Sequence, residues 1–162
     1  MKFKSILELG ETQDEILNSI ENYLAEWNVA IEKIQNGDED EMFSMIGENL
    51  TKCLAMQPEY LMKYSLLYQD AKAVEEALTI QRNKTITILQ KNMNNSAKSL
   101  TDREFVRLAE GDPKVVFWNQ LITDVCKFKG YFEEIRETLK QKGYSLRGIT
   151  ELAIAQSTDY VI

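Results

Sequence analysis

The sequence predicts an all-α fold: a long antiparallel helical hairpin with additional helices packed at its N-terminal side. Three observations predict it. Apolar residues recur at three- and four-residue intervals through most of the chain, the spacing of one helix face. Gly and Pro are few, seven and two in 162 residues, which favours long elements over loop-rich β folds. Helix-start signals of the Thr-x-x-Glu type precede two of the apolar runs.

The first signal is Thr12-Gln13-Asp14-Glu15. The Thr hydroxyl and the Glu carboxylate of such a box each satisfy a backbone N–H that a helix start leaves open. Ile16, Ile20, Leu24, Trp27, Ile31 and Ile34 follow as one stripe, and Asn36-Gly37 supplies a stop because both residues tolerate left-handed backbone angles. The acidic run 38–41 suits the positive end of a second helix, whose apolar face takes Met42, Met45 or Ile46, Leu50, and Cys53 or Leu54. Pro58 then marks a boundary and the first turn of a third helix. In that helix Tyr60, Tyr64, Leu67, Ala71, Val74 and Leu78 step by four and three, which is coiled-coil spacing. The pattern shifts register and continues through Ile86, Leu89 and Met93, and it ends among Asn92, Asn94, Asn95 and Ser96, which are poor helix formers.

Thr101-Asp102-Arg103-Glu104 opens a short helix that reaches about Gly111. Asp112-Pro113 opens the next, with Asp as cap and Pro in the first turn. Trp118, Ile122, Val125, Phe128, Phe132, Ile135 and Leu139 form its stripe, which Lys142-Gly143 closes; residues 144–156 read as a separate short helix, and 159–162 as a short strand or tail. The chain is expected to be a single domain, with acidic helices over 1–57 and the hairpin core over 58–162. Two stripes this rich in aromatics also suit burial against another copy of the chain, so a homo-oligomer is expected.

Composition narrows the function classes. Hydrophobic residues make up 44% and charged residues 28%, which is globular composition. No apolar run approaches the roughly 20 residues that cross a bilayer, and the N-terminal stretch lacks a signal-peptide core. The expected location is the cytoplasm. Two distant cysteines, Cys53 and Cys126, read as reduced thiols that fill the core. There is no histidine, so the usual general base and the commonest metal ligand are missing. There is also no Cys-x-x-Cys pair and no glycine-rich phosphate loop. The run 38–41 lacks the spacing of a calcium loop, and Glu75-Glu76 reads as a solvated helix face. A non-enzymatic protein with no cofactor is expected.

Charge is unevenly placed. Residues 1–80 carry 6 Lys and Arg against 16 Asp and Glu, while residues 81–162 carry 13 against 10, giving the net −7. Between residues 82 and 107 stand Arg82, Lys84, Lys91, Lys98, Arg103 and Arg107 against only Asp102 and Glu104. Lys84, Lys91 and Lys98 are seven apart, which places them along one helix face with about 10 Å between neighbours. Arg103 and Arg107 share a face of the next helix. Cations so arranged suit a phosphate backbone; the same row also describes an ordinary solvated face.

The order of these features resembles the UvsY-like recombination mediators of bacteriophages. A long helix, a basic Asn/Ser-containing break, an acidic-residue-plus-Pro helix start and a Trp-containing amphipathic helix follow one another over about residues 60–150. Trp118, Asp124, Cys126 and Lys142-Gly143-Tyr144 carry the likeness most closely. The resemblance implies an accessory protein of phage homologous recombination in the infected bacterial cell. Such a protein forms a ring-like homo-oligomer, binds single-stranded DNA, and helps a RecA-like recombinase replace the single-strand-binding protein. The family's DNA-contacting segment ends its first long helix with Lys and Arg beside aromatics. Here that stretch is residues 88–95, where Lys91 is a cation without Arg or aromatic neighbours. The alternative reading is a helical protein-interaction module without DNA binding, such as a phage assembly factor or an inhibitor of a host nucleic-acid-binding enzyme. Its acidic surface would occupy a basic groove.

Overall fold

The computed structural model describes residues 13–38, 42–43, 50–95 and 101–158. These form four helices: α1 (Gln13–Gln35), α2 (Leu50–Asn95), α3 (Asp102–Glu110) and α4 (Pro113–Thr158). No strand occurs among the described residues, so the fold is all-α. The chain divides into two compact units, Met1–Ile20 with Asp70–Lys129, and Glu21–Gln69 with Gly130–Ile162. α1, α2 and α4 each contribute a segment to both.

Local signals set several boundaries where the sequence places them. α1 ends at Asn36-Gly37: Gly37 takes φ 79°, and Asp38 N–H and Gly37 N–H donate to the Lys33 and Ile34 carbonyls at 2.9 and 3.1 Å. That is a Schellman closure, for which glycine is suited because it has no Cβ. The Thr101–Glu104 box opens α3, with Gly111 at its end. Asp112 caps α4, its carboxylate accepting from Lys114 N–H at 2.9 Å. Thr12, the start of the first box, and the tail 159–162 lie outside the described residues, as do most of the acidic run 38–41 and the Met45 and Ile46 positions.

In the unit holding Asp70–Lys129 the core is Ile16, Ile20, Ala71, Val74, Ala77, Leu78, Ala109, Val115, Trp118 and Val125. α2 and α4 run antiparallel there. The Trp118 indole N–H donates to Thr85 Oγ1 at 3.1 Å, Arg82 Nε donates to Asn119 Oδ1 at 2.6 Å, and the Cys126 thiol donates to Glu75 Oε1 at 3.3 Å. Rising α2 numbers thus meet falling α4 numbers.

The other unit is centred on aromatics. Trp27, Tyr64 and Phe132 are fully buried. Trp27 meets Phe132 edge-on at 6.1 Å between centroids, and Tyr64 lies 6.4 Å from Phe132. Aromatic pairs in such tilted and edge-on geometry add stabilisation beyond the area that they bury. The Arg136 guanidinium sits 4.4 Å over the Tyr68 ring, a cation–π contact. Here too α2 and α4 are antiparallel, with Gln57 Nε2 donating to the Leu139 carbonyl at 2.9 Å.

Two sequence expectations are corrected. Pro58 does not open a helix: it lies inside α2, and Leu50, Cys53 and Leu54 belong to that helix rather than to a separate second one. Proline in a helix interior removes one backbone hydrogen bond and crowds the carbonyl four residues back, so the surrounding packing overrides the local signal. Nor does Lys142-Gly143 close α4, which continues to Thr158 and absorbs the separate helix expected over 144–156. Lys142 is buried, and its ammonium donates to the Met42 carbonyl at 2.9 Å. At Gly143 an added Cβ would stand 2.8 Å from Gln57 Nε2. The pair is a packing device: glycine makes room for the Gln57 amide that binds Leu139, and lysine reaches the chain before α2.

These corrections carry two expectations. P58A should raise stability by about 1–3 kcal/mol in urea denaturation, because it restores a helical N–H. K142M should lower it by about 1–3 kcal/mol, because it keeps the aliphatic stem but leaves the Met42 carbonyl without that donor.

Candidate nucleic-acid interface

Past Leu78 the buried stripe of α2 gives way to half-buried residues, among them Ile86, Leu89 and Met93. The helix nevertheless runs on to Asn95. Its outer surface there carries Lys84 and Lys91, both exposed. Two turns separate them, about 10 Å along the axis.

α3 presents the arginines. Its start is fixed by a reciprocal set of bonds around Glu104. Thr101 N–H and the Thr101 hydroxyl donate to Glu104 Oε2 at 3.0 and 2.7 Å, and Glu104 N–H donates to Thr101 Oγ1 at 3.4 Å. The hydroxyl bond, joined by the backbone one, holds the Glu104 carboxyl below its ordinary value. The carboxylate therefore stays charged and faces the helix start. Arg103 and Arg107, four apart on α3, are both exposed.

Among the described residues, no ion pair or side-chain hydrogen bond engages Lys84, Lys91, Arg103 or Arg107. Lys98, the remaining expected site residue, lies outside the described residues. Several cations on α4 behave differently, although Lys114 and Arg147 on that helix are exposed as well. Lys127 pairs with Asp124 at 3.0 Å, Lys140 with Glu137 at 2.6 Å, Lys129 with Glu75, and Lys142 binds a carbonyl. Arg82, counted in the basic stretch, is likewise committed to Asn119. Residues 82–107 thus offer unneutralised positive charge on two helices.

Glu75 corrects another expectation. It is not simply a solvated carboxylate: it accepts from Lys129 and from the Cys126 thiol across the α2–α4 contact. Glu76 beside it is exposed, as the sequence reading has it. The Lys129 bond, against some opposing desolvation, holds the Glu75 carboxyl below 4.5, its ordinary value. Burial, then the Glu75 bond, pushes the Cys126 thiol up. That makes it a poor nucleophile near neutral pH. Cys53 is buried, and neither cysteine forms a disulfide.

Sequence reasoning passed over two apolar residues near the cations. Phe117 on α4 and Ile88 on α2 are 39% and 59% exposed. Both fall outside the heptad positions of their helices. An aromatic out of register beside an Asp-Pro helix start was the available signal. No helix of the described residues is long and apolar enough to cross a membrane. No protein-family model, curated protein or solved structure matches the chain.

Glu75 makes stability pH-dependent with a definite sign. Its folded-state value is depressed, so its contribution is present above about pH 4.5 and is lost as pH falls through the lowered value. E75Q should therefore lose part of the acid-side fall in melting temperature between about pH 5 and pH 3, read from thermal melts of both proteins.

Proposed function

We propose that the chain is a non-enzymatic recombination mediator that binds single-stranded DNA and assists loading of a RecA-like recombinase. Lys84, Lys91, Arg103 and Arg107, with Lys98, neutralise phosphates of the strand. The observation that carries this reading is the exposed, unpaired state of the four described cations, in contrast to the pairing of Lys127, Lys129 and Lys140 on α4. Exposed cations near water-accessible apolar groups suit a flexible strand, which binds by backbone charge and base stacking together. The resemblance to UvsY-like mediators supplies the recombination context: a recombinase or single-strand-binding protein as partner, and several copies of the chain acting together in the infected cell's cytoplasm. Exposed Tyr144 and Leu152 near the end of α4 supply apolar surface for association between copies.

One observation favours a second reading, a protein-interaction module without DNA binding. α1 exposes Glu21, Glu26 and Glu32, an acidic surface that suits a basic groove on another protein.

Binding of a labelled oligo-dT separates the two. For a single strand, each neutralised phosphate contributes about −0.7 to the slope of log affinity against log salt. Five contacts give a slope of about −3.5, or a loss of roughly 100-fold between about 50 and 200 mM salt. K84Q/K91Q should bind more weakly and flatten the slope by about 1.4. Binding indifferent to salt and to these lysines would remove the proposal, and absence of any binding would favour the interaction module.

A further inference from the structure

We infer that Phe117 is a stacking platform for a base of the bound strand, with Ile88 as apolar floor beside it and Lys84 and Lys91 on the adjoining phosphates. This rests on the single-strand reading above. The placement follows from the antiparallel α2–α4 contact in the unit that holds Asp70–Lys129. Trp118 and Thr85 face each other there, joined by the 3.1 Å indole bond. Successive residues of an α-helix turn by about 100°. Arg82 stands about 60° forward of Thr85, and Asn119 about 100° forward of Trp118. Their 2.6 Å hydrogen bond closes the forward flank of the helix pair. Cys126 and Glu75 meet on that same flank one heptad away.

Lys84 and Phe117 occupy the opposite flank. Each stands about 100° back from its facing residue, Thr85 or Trp118. In an antiparallel pair the backward positions of both helices emerge on one side. Ile88, about 60° back, and Lys91, about 120° back, continue along it. This flank therefore presents an apolar residue between two cations on α2, and an aromatic ring on α4 level with the first of them.

The surroundings of Phe117 suit the role. Its ring meets Trp118 at 5.4 Å between centroids with planes at 62°, so the buried indole steadies it. Yet 39% of the residue reaches solvent, whereas Trp118, Val115 and Val125 on the same helix are buried. A phenyl ring has no polar tip to satisfy in water, unlike the exposed Tyr131 and Tyr144 of the other unit. Every nucleobase has a π-face, so such a ring binds a strand without regard to sequence.

The test compares two labelled strands of equal length and equal phosphate count, oligo-dT and a strand of abasic sites, on the full chain. Wild-type protein should prefer oligo-dT by about tenfold, the order expected for one stacked base. F117L should lose most of that preference while its salt slope stays unchanged, and F117W should keep it. K84Q/K91Q should do the reverse, flattening the slope and retaining the preference. Circular dichroism melts confirm that F117L is folded; where they do not, the wild-type strand preference and the F117W result decide. Steep salt dependence with equal affinity for the two strands would overturn the platform and leave the single-strand reading standing. A base preference retained in folded F117L would also overturn it. Failure of the wild-type protein to bind either strand would remove both, and capture of an apolar protein segment at Phe117 in place of DNA would count against the platform.

Discussion

Trp118, Val125, Phe132, Leu139 and Leu146 recur every seventh residue along α4, and all five are buried. A seven-residue repeat in a helix of 3.6 residues per turn keeps one seam turned toward a partner. α2 answers with Tyr64, Leu67, Ala71, Val74 and Leu78, spaced three and four apart and equally buried. The contact between these seams decides which side chains meet in each unit. It sets Thr85 against Trp118 and Glu75 against Cys126 in one, and Gln57 against Leu139 in the other. It also consumes the apolar stripes within a single chain. The proposed association between copies would then use residues outside the seam, such as Tyr144 and Leu152, whose exposure the seam does not need.

What the sequence disclosed, and what it withheld, divides along the same line. The Thr101–Glu104 box and the Asp112-Pro113 start were legible because their bonds join residues a few positions apart. The heptad stripes were legible because periodicity reports a buried face whatever covers it. Pro58 and Lys142-Gly143 misled for one shared reason: each carries a strong local preference that a distant partner overrides. Gly143 reads as a helix stop until Gln57, 86 residues earlier, is seen to occupy the space beside it. Lys142 reads as a cation in a last turn until the Met42 carbonyl appears at its ammonium. Glu75 looked solvated because nothing in its neighbourhood names Lys129. Four of the five expected site residues lie among the described residues, and their exposure was foreseeable from their off-seam positions. Their lack of partners was not, since it depends on where the carboxylates point.

Glu104 illustrates that dependence. It stands beside Arg103 and three residues before Arg107, and the latter is a spacing at which helical side chains meet. The capping bonds to Thr101 turn its carboxylate toward the helix start instead. A carboxylate that terminates a helix properly is thereby withdrawn from the arginines beside it. The same residue that makes α3 possible leaves its cations available.

The proposed binding of an acidic polymer by an acidic protein poses a difficulty of charge, and distance resolves it. At physiological ionic strength the screening length is about 8 Å, shorter than the roughly 10 Å between Lys84 and Lys91. A phosphate brought to either lysine would therefore respond to its immediate neighbours far more than to the chain's total of −7. At about 0.01 M salt the screening length grows to about 30 Å, and acidic residues well away from the cations would then act on such a strand as well. Their repulsion opposes the tighter phosphate contacts that low salt otherwise brings. The base contact inferred at Phe117 and Ile88 would be indifferent to this competition, because stacking on an apolar surface carries no net charge. A flank that combined the two kinds of contact would hold a strand across a wider range of ionic strength than its cations alone.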